Sequence, residues 1–133
     1  MPSCELVNAF VRDVLANDHV RAIERWYAPD ASMQENQQAP RKGRDFLVRH
    51  EKAVLAEMIC VTSQILGNPM IDGENVAIVW RFTFERLDGC RMSMDEVAIQ
   101  RWKDGRIVHE QFFYDPGQLR PSHAGATNQV PVH

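Results

Sequence analysis

At 133 residues, 44% of them hydrophobic, the chain is the size of one domain and long enough to bury roughly 65 to 70% of its unfolded surface. A formal charge of −3 with interspersed signs leaves no basic stripe for nucleic acid, and no apolar run reaches the roughly 18 residues that a membrane span needs. The chain does not open with a basic region followed by an apolar stretch, so a secretory signal is not expected and the expected compartment is the cytoplasm.

Cys4, Cys60 and Cys90 fit that compartment: three cysteines cannot all pair, and their spacing offers neither a Cys-x-x-Cys motif nor metal ligands. His19, His50, His109, His123 and His133 are equally scattered. No metal and no other cofactor is expected.

Behind Ser3, a good N-cap, Leu6, Val7, Phe10, Val11, Val14 and Leu15 recur at helical spacing and predict an amphipathic helix ending near Asn17. Asp18 caps a second helix with Val20, Ile23, Trp26 and Tyr27 along one face, and Pro29 stops it by biasing Ala28 away from helical angles. Residues 32–35 read as a short strand and 36–43 as a loop over a surface or pocket mouth. The third helix has Phe46, Leu47, His50, Ala53, Val54 and Met58 as its buried stripe, which puts His50 among apolar neighbours.

From Ile59 the period changes to two. Strands over 59–66, 75–85, 91–102 and 106–115, with turns at Asp72-Gly73, Asp88-Gly89 and Asp104-Gly105, predict an antiparallel meander whose last turn is type I′. Val76, Ile78, Trp80, Phe82 and Phe84 share a core face. The opposite faces mix Val97 and Ile99 with Ser93, Asp95 and Arg101, and Val108 with Glu110, Phe112 and Tyr114. Three helices cover only one side of such a sheet, so a homodimer through the uncovered sheet face is expected. The single domain spans 1–119, and 120–133, rich in Pro, Ser, Gly and Asn, is expected to be a loose tail.

Trp26-Tyr27-Ala28-Pro29-Asp30-Ala31 closes the second helix, Gly43-Arg44 opens the third, and Asp104-Gly105-Arg106-Ile107 and Phe113-Tyr114-Asp115 lie in the last hairpin. In that order and spacing, over about residues 5 to 119, the chain resembles the NTF2-like superfamily, specifically its SnoaL-like polyketide cyclase and ketosteroid isomerase relatives. The resemblance implies an α+β cone, with three N-terminal helices packed on a strongly curved mixed or antiparallel sheet around a central pocket where ligands bind. The superfamily holds enzymes, binding proteins and transport factors, so the fold alone does not assign a function.

Counting as in the ketosteroid isomerases, the resemblance puts their proton-shuttling carboxylate at Glu35. A carboxylate in an apolar pocket has a raised pKa and can accept and return a proton near neutral pH; the alternative is a solvated glutamate beside Asn36 and Gln37. The isomerases' two oxygen-binding donors correspond to Phe10 and Ala98, which donate nothing, leaving Tyr27, Tyr114 or Trp80 as substitutes from other walls. SnoaL-like cyclases commonly carry an aspartate at Asp115, where it would abstract a carbon-bound proton for an aldol closure. Before Pro116-Gly117 the same residue also reads as a turn bonding its own backbone.

His50 is either a core histidine or a general acid–base group. Glu110 shares a strand face with Phe112 and Tyr114, while only one of Asp95 and Glu96 can enter the pocket. Trp26, Trp80, Met92 and Met94 either line a pocket for a flat apolar ligand or pack in the core. Two functions follow. One is a cofactor-independent cyclase, isomerase or lyase acting on a small apolar carbonyl compound, with Glu35 or Asp115 moving a proton and Tyr27, His50 or Tyr114 holding the oxygen. The other is a non-catalytic dimer that binds a small apolar ligand. Convergence of two or three of Glu35, His50, Asp95, Glu110 and Asp115 on one cavity separates them.

Overall fold

The computed structural model describes residues 1–119; the tail expected over 120–133 lies outside the described residues. Helix α1 spans Cys4–Leu15, with Ser3 Oγ accepting the Leu6 N–H at 3.0 Å, and α2 spans His19–Trp26, capped by Asp18. Between them Asn17 takes the left-handed conformation (φ 63°), a region that asparagine tolerates better than most residues.

Helix α2 does not run on to Pro29. Strand β1 starts at Tyr27 and continues to Glu35, passing through the proline. The pairing of β1 is irregular between Tyr27 and Ser32, so the missing Pro29 N–H interrupts no regular ladder there. The expected loop also contains a short strand, β2 (Arg41–Lys42), paired antiparallel to β1. Helix α3 (Arg44–Leu55) follows Gly43, whose φ of 92° favours glycine.

The stripe expected on α3 is only partly buried. Leu47 is fully enclosed, whereas Phe46 and Ala53 are exposed and Met58 already belongs to the next strand. Instead of a solid core, α3 covers a cavity, and His50, Glu51, Val54 and Leu55 border it.

Strands β3 (Met58–Ile65), β4 (Met70–Asp72), β5 (Asn75–Arg86), β6 (Arg91–Lys103) and β7 (Arg106–Phe113) complete a seven-stranded sheet among the described residues. Its order is β2-β1-β7-β6-β5-β3, with β4 on β5; every pairing is antiparallel except β1 with β7. Asp104 (φ 51°) and Gly105 (φ 77°) both adopt positive φ, as the type I′ turn requires. Under the helices, Phe10 meets Trp26 and Trp102 edge-on at 6.2 and 6.0 Å, joining α1, α2 and β6 in one core with Val76, Ile78 and Ile107. No described helix is long and apolar enough to cross a membrane.

One face assignment reverses. Glu110, Phe112 and Tyr114 on and just beyond β7 point into the concave side and not to the uncovered face. The parallel pairing with β1 puts β7 in the middle of the curved wall, and alternation alone does not say which of two mixed faces curls inward.

Candidate functional site

Between the helices and the concave sheet face lies a cavity of about 340 Å³. Alternation on β5 and β6 walls it with Trp80, Phe82, Phe84, Met92 and Met94, and the Trp80 and Phe82 rings stack with centroids 5.6 Å apart. Four glutamates, Glu35, Glu51, Glu96 and Glu110, enter this apolar space against one arginine, Arg41, among the described residues.

Glu110 heads a buried chain. Its carboxyl accepts the Tyr27 hydroxyl on one oxygen and Gln100 Nε2–H at 2.7 Å on the other, and Gln100 accepts Trp102 Nε1–H at 2.9 Å. The β6–β7 register sets Gln100 directly opposite Glu110. Burial pushes the Glu110 carboxyl up to about 7, against the two donors, which favour its ionised form. Burial and the neighbouring Glu110 charge raise the Tyr27 phenol well above its ordinary range, so it stays the donor.

Glu96 has the opposite surroundings. It is 6% exposed, lines the cavity, and its carboxyl makes no hydrogen bond to any described residue. Burial first, and then the charges of Glu110, Glu35 and Glu51, push it up to about 8. Near neutral pH it is mainly a protonated acid facing an apolar space.

A second cluster ties β1 to β2 and to the end of β7. Glu35 Oε1 accepts the Tyr114 hydroxyl at 2.6 Å, and its Oε2 is paired with Arg41. Burial would raise Glu35, but Tyr114 and Arg41 outweigh it and hold the carboxyl below its ordinary range. From α3, Glu51 is raised by burial, and His50 is lowered by burial and by the Arg41 charge. The His50 imidazole makes no hydrogen bond to a described residue, and its ring lies 6.4 Å from that of Phe46.

The model of the SnoaL-like domain matches residues 7–110. The chain belongs to the SnoaL-like domain family. Comparison with curated proteins gives no match. Among solved structures, the SnoaL-like chain is similar to a candidate SnoaL-like polyketide cyclase from Mesorhizobium loti, at 23% identity and a TM-score of 0.72 over 86% of this chain and 100% of that one. An NTF2-like protein of unknown function from Burkholderia pseudomallei is 14% identical with a TM-score of 0.75, over 89% of this chain and 95% of that one. A protein with a ketosteroid isomerase-like fold from Catenulispora acidiphila, solved in complex with trimethylamine, is 16% identical with a TM-score of 0.73, over 86% of this chain and 88% of that one. At such identities the likeness concerns the fold.

This SnoaL-like cavity is lined by the sequence candidates Glu35, His50, Tyr27, Trp80, Glu110 and Tyr114, together with Met92 and Met94. Two expected members lie elsewhere. Trp26 is a core residue whose Nε1–H reaches Asp13 at 2.7 Å. Asp115 accepts the Gly117 N–H at 2.8 Å, the turn arrangement, and does not line the cavity. Of the neighbouring pair on β6, Glu96 turns inward, while Asp95 pairs on the outside with Arg81 at 2.7 and 3.0 Å. Sequence reasoning left Glu96 unassigned and passed over Gln100, Arg41 and Glu51. A signal existed for Glu96, because it shares its parity with Met92, Met94, Ala98 and Trp102.

Proposed function

We propose that the chain is a cofactor-independent proton-transfer enzyme of the isomerase, cyclase or lyase type, acting on a small, largely apolar carbonyl compound. The observation that carries this reading is Glu96, a buried carboxyl that faces the cavity with no side-chain hydrogen-bond partner among the described residues, where burial favours its protonated form near neutral pH. Glu96 donates to the carbonyl oxygen as negative charge develops there, the task for which Phe10 and Ala98 offer no group.

Glu110 is the matching base. Tyr27 and Gln100 stabilise its carboxylate while Glu96 has no donor among the described residues, so the shared negative charge resides preferentially on Glu110. The substrate's carbon-bound proton passes to Glu110 as the enol forms under Glu96; return of the proton to another carbon completes an isomerisation with nothing gained or lost. Glu35, which Tyr114 and Arg41 hold below its ordinary range and so make the weaker base, keeps Arg41 and Tyr114 in place and is not the shuttle. The Tyr27 and Tyr114 hydroxyls are likewise committed, to Glu110 and Glu35, and leave the substrate oxygen to Glu96.

Glu96→Gln assayed against a panel of β-dicarbonyl and dienone compounds tests the reading. A loss of 100-fold or more in kcat, typical of removing a positioned acid or base, is expected; unchanged turnover sinks it. A second reading is favoured by the charge balance of the cavity and by the trimethylamine-bound relative: a non-catalytic module for a small amine, its cation held by the glutamates and by the faces of Trp80 and Phe82. Calorimetric binding of trimethylamine by a protein that turns over no member of the panel would support it. In either reading two copies pair through the uncovered sheet face around Ile99 and Phe113, each 38% exposed.

A further inference from the structure

At the β3 side of the same cavity lies a polar chain that the reaction above does not use. Ser63, buried on β3, donates its hydroxyl proton to Asn17 Oδ1 at 2.9 Å, and its oxygen lies 3.2 Å from His19 Nε2. An amide oxygen can only accept, so the single Ser63 proton is committed to Asn17, and the serine oxygen must receive its second contact from a proton on His19 Nε2. The left-handed Asn17 between α1 and α2 is what places the amide there. His19 is thereby fixed with a bare Nδ1, which has no partner among the described residues.

The imidazole lines the cavity, edge-on to Phe82 at 5.9 Å, among Val14, Ala22, Ile23 and Val61. Burial lowers its pKa against the pull of Asp18, so the ring is neutral near pH 7. Ser63 does not line the cavity and its proton is engaged, which removes it as a nucleophile.

The geometry points to His19 as a second polar anchor of the cavity, accepting a hydrogen bond from a hydroxyl at the far end of the carbonyl substrate. This rests on the proton-transfer reading and adds the substrate class to it: a compact hydroxy-ketone whose two oxygens are separated by an apolar body lying on Trp80 and Phe82. The placement agrees with this: Ser63, which holds His19, pairs with Phe82 on β5, and Glu96 lies on β6 opposite Trp80, two residues from Phe82, so β5 with its stacked Trp80 and Phe82 rings runs between the strand that holds His19 and the strand that carries Glu96.

Calorimetric titration of the full chain with 4-hydroxyacetophenone and acetophenone reads the proposal without requiring turnover. The hydroxyl compound should bind about five- to tenfold more tightly, the worth of one neutral hydrogen bond. His19→Phe should abolish that preference while keeping acetophenone affinity, and Ser63→Ala, which frees the ring to change tautomer, should reduce it. Nitrogen-15 NMR of the unaltered protein should show the His19 proton on Nε2. Equal affinity for the two ketones, no binding of either, a preference that survives His19→Phe, or a proton on Nδ1 would each overturn the assignment. Glu96→Gln separates the two readings: if it leaves both affinities unchanged while the hydroxyl preference persists, the carbonyl end fails and the His19 anchor stands.

Discussion

Replacing Glu96 by glutamine should make the folded protein more stable, and increasingly so as pH rises. Glu96 ionises at about 8 in the native state against an ordinary 4.5, so between those values the native chain holds a proton that the unfolded chain has released. Stability therefore falls with rising pH, by about 1.4 kcal/mol for each pH unit, and the penalty reaches on the order of 5 kcal/mol once Glu96 is ionised in both states. Below pH 4.5 the carboxyl is neutral in both states and the penalty vanishes. Glutamine is a neutral isostere of the protonated acid and makes the same demand on the cavity at every pH. Urea unfolding of both proteins at unit intervals from pH 4 to 9 should give curves that coincide at the acid end, diverge through the neutral range and run parallel above about 8. Curves that stay parallel throughout would show that Glu96 is solvated or paired, and the acid assigned to the cavity would be lost with it.

Tyr27→Phe removes a donor from buried Glu110 and should cost about 1–3 kcal/mol of unfolding free energy in urea, with the larger loss above pH 7 where Glu110 is ionised. Gly105→Ala forces a side chain onto a φ of 77° and should cost roughly 1–2 kcal/mol in a thermal melt while leaving ligand binding untouched. The paired substitution of Ile99 and Phe113 by lysine should convert a dimer into a monomer in analytical ultracentrifugation; an unchanged mass would move the interface away from this face.

Much of the architecture was legible because its causes are local. Ser3 and Asp18 cap their helices through side chains three residues from the amides they bind, and Asp104-Gly105 makes its turn from its own backbone preferences. β1 was less legible, since Pro29 argues against a strand and only the irregular pairing with β7 accommodates it. The candidate site divides along the same line. Glu35, Tyr27 and Tyr114 were singled out through motif order and His50 through the apolar stripe of α3, and all four line the cavity, whereas Asp115 had two local readings and the structure has the turn.

By itself the sequence determined the helix-then-meander order, the hairpin positions and the two-residue alternation that keeps Asp95 and Glu96 on opposite faces. Only the tertiary structure decided which of those faces is concave. That choice put Glu96 and Glu110 in the cavity, joined Tyr27 to a partner 83 positions away, and left the Glu96 carboxyl with no hydrogen-bond partner among the described residues. The physical reason is that helix and turn preferences are properties of neighbouring residues. A carboxyl's readiness to hold a proton depends instead on the solvent it has lost and on the donors that remote strands bring to it.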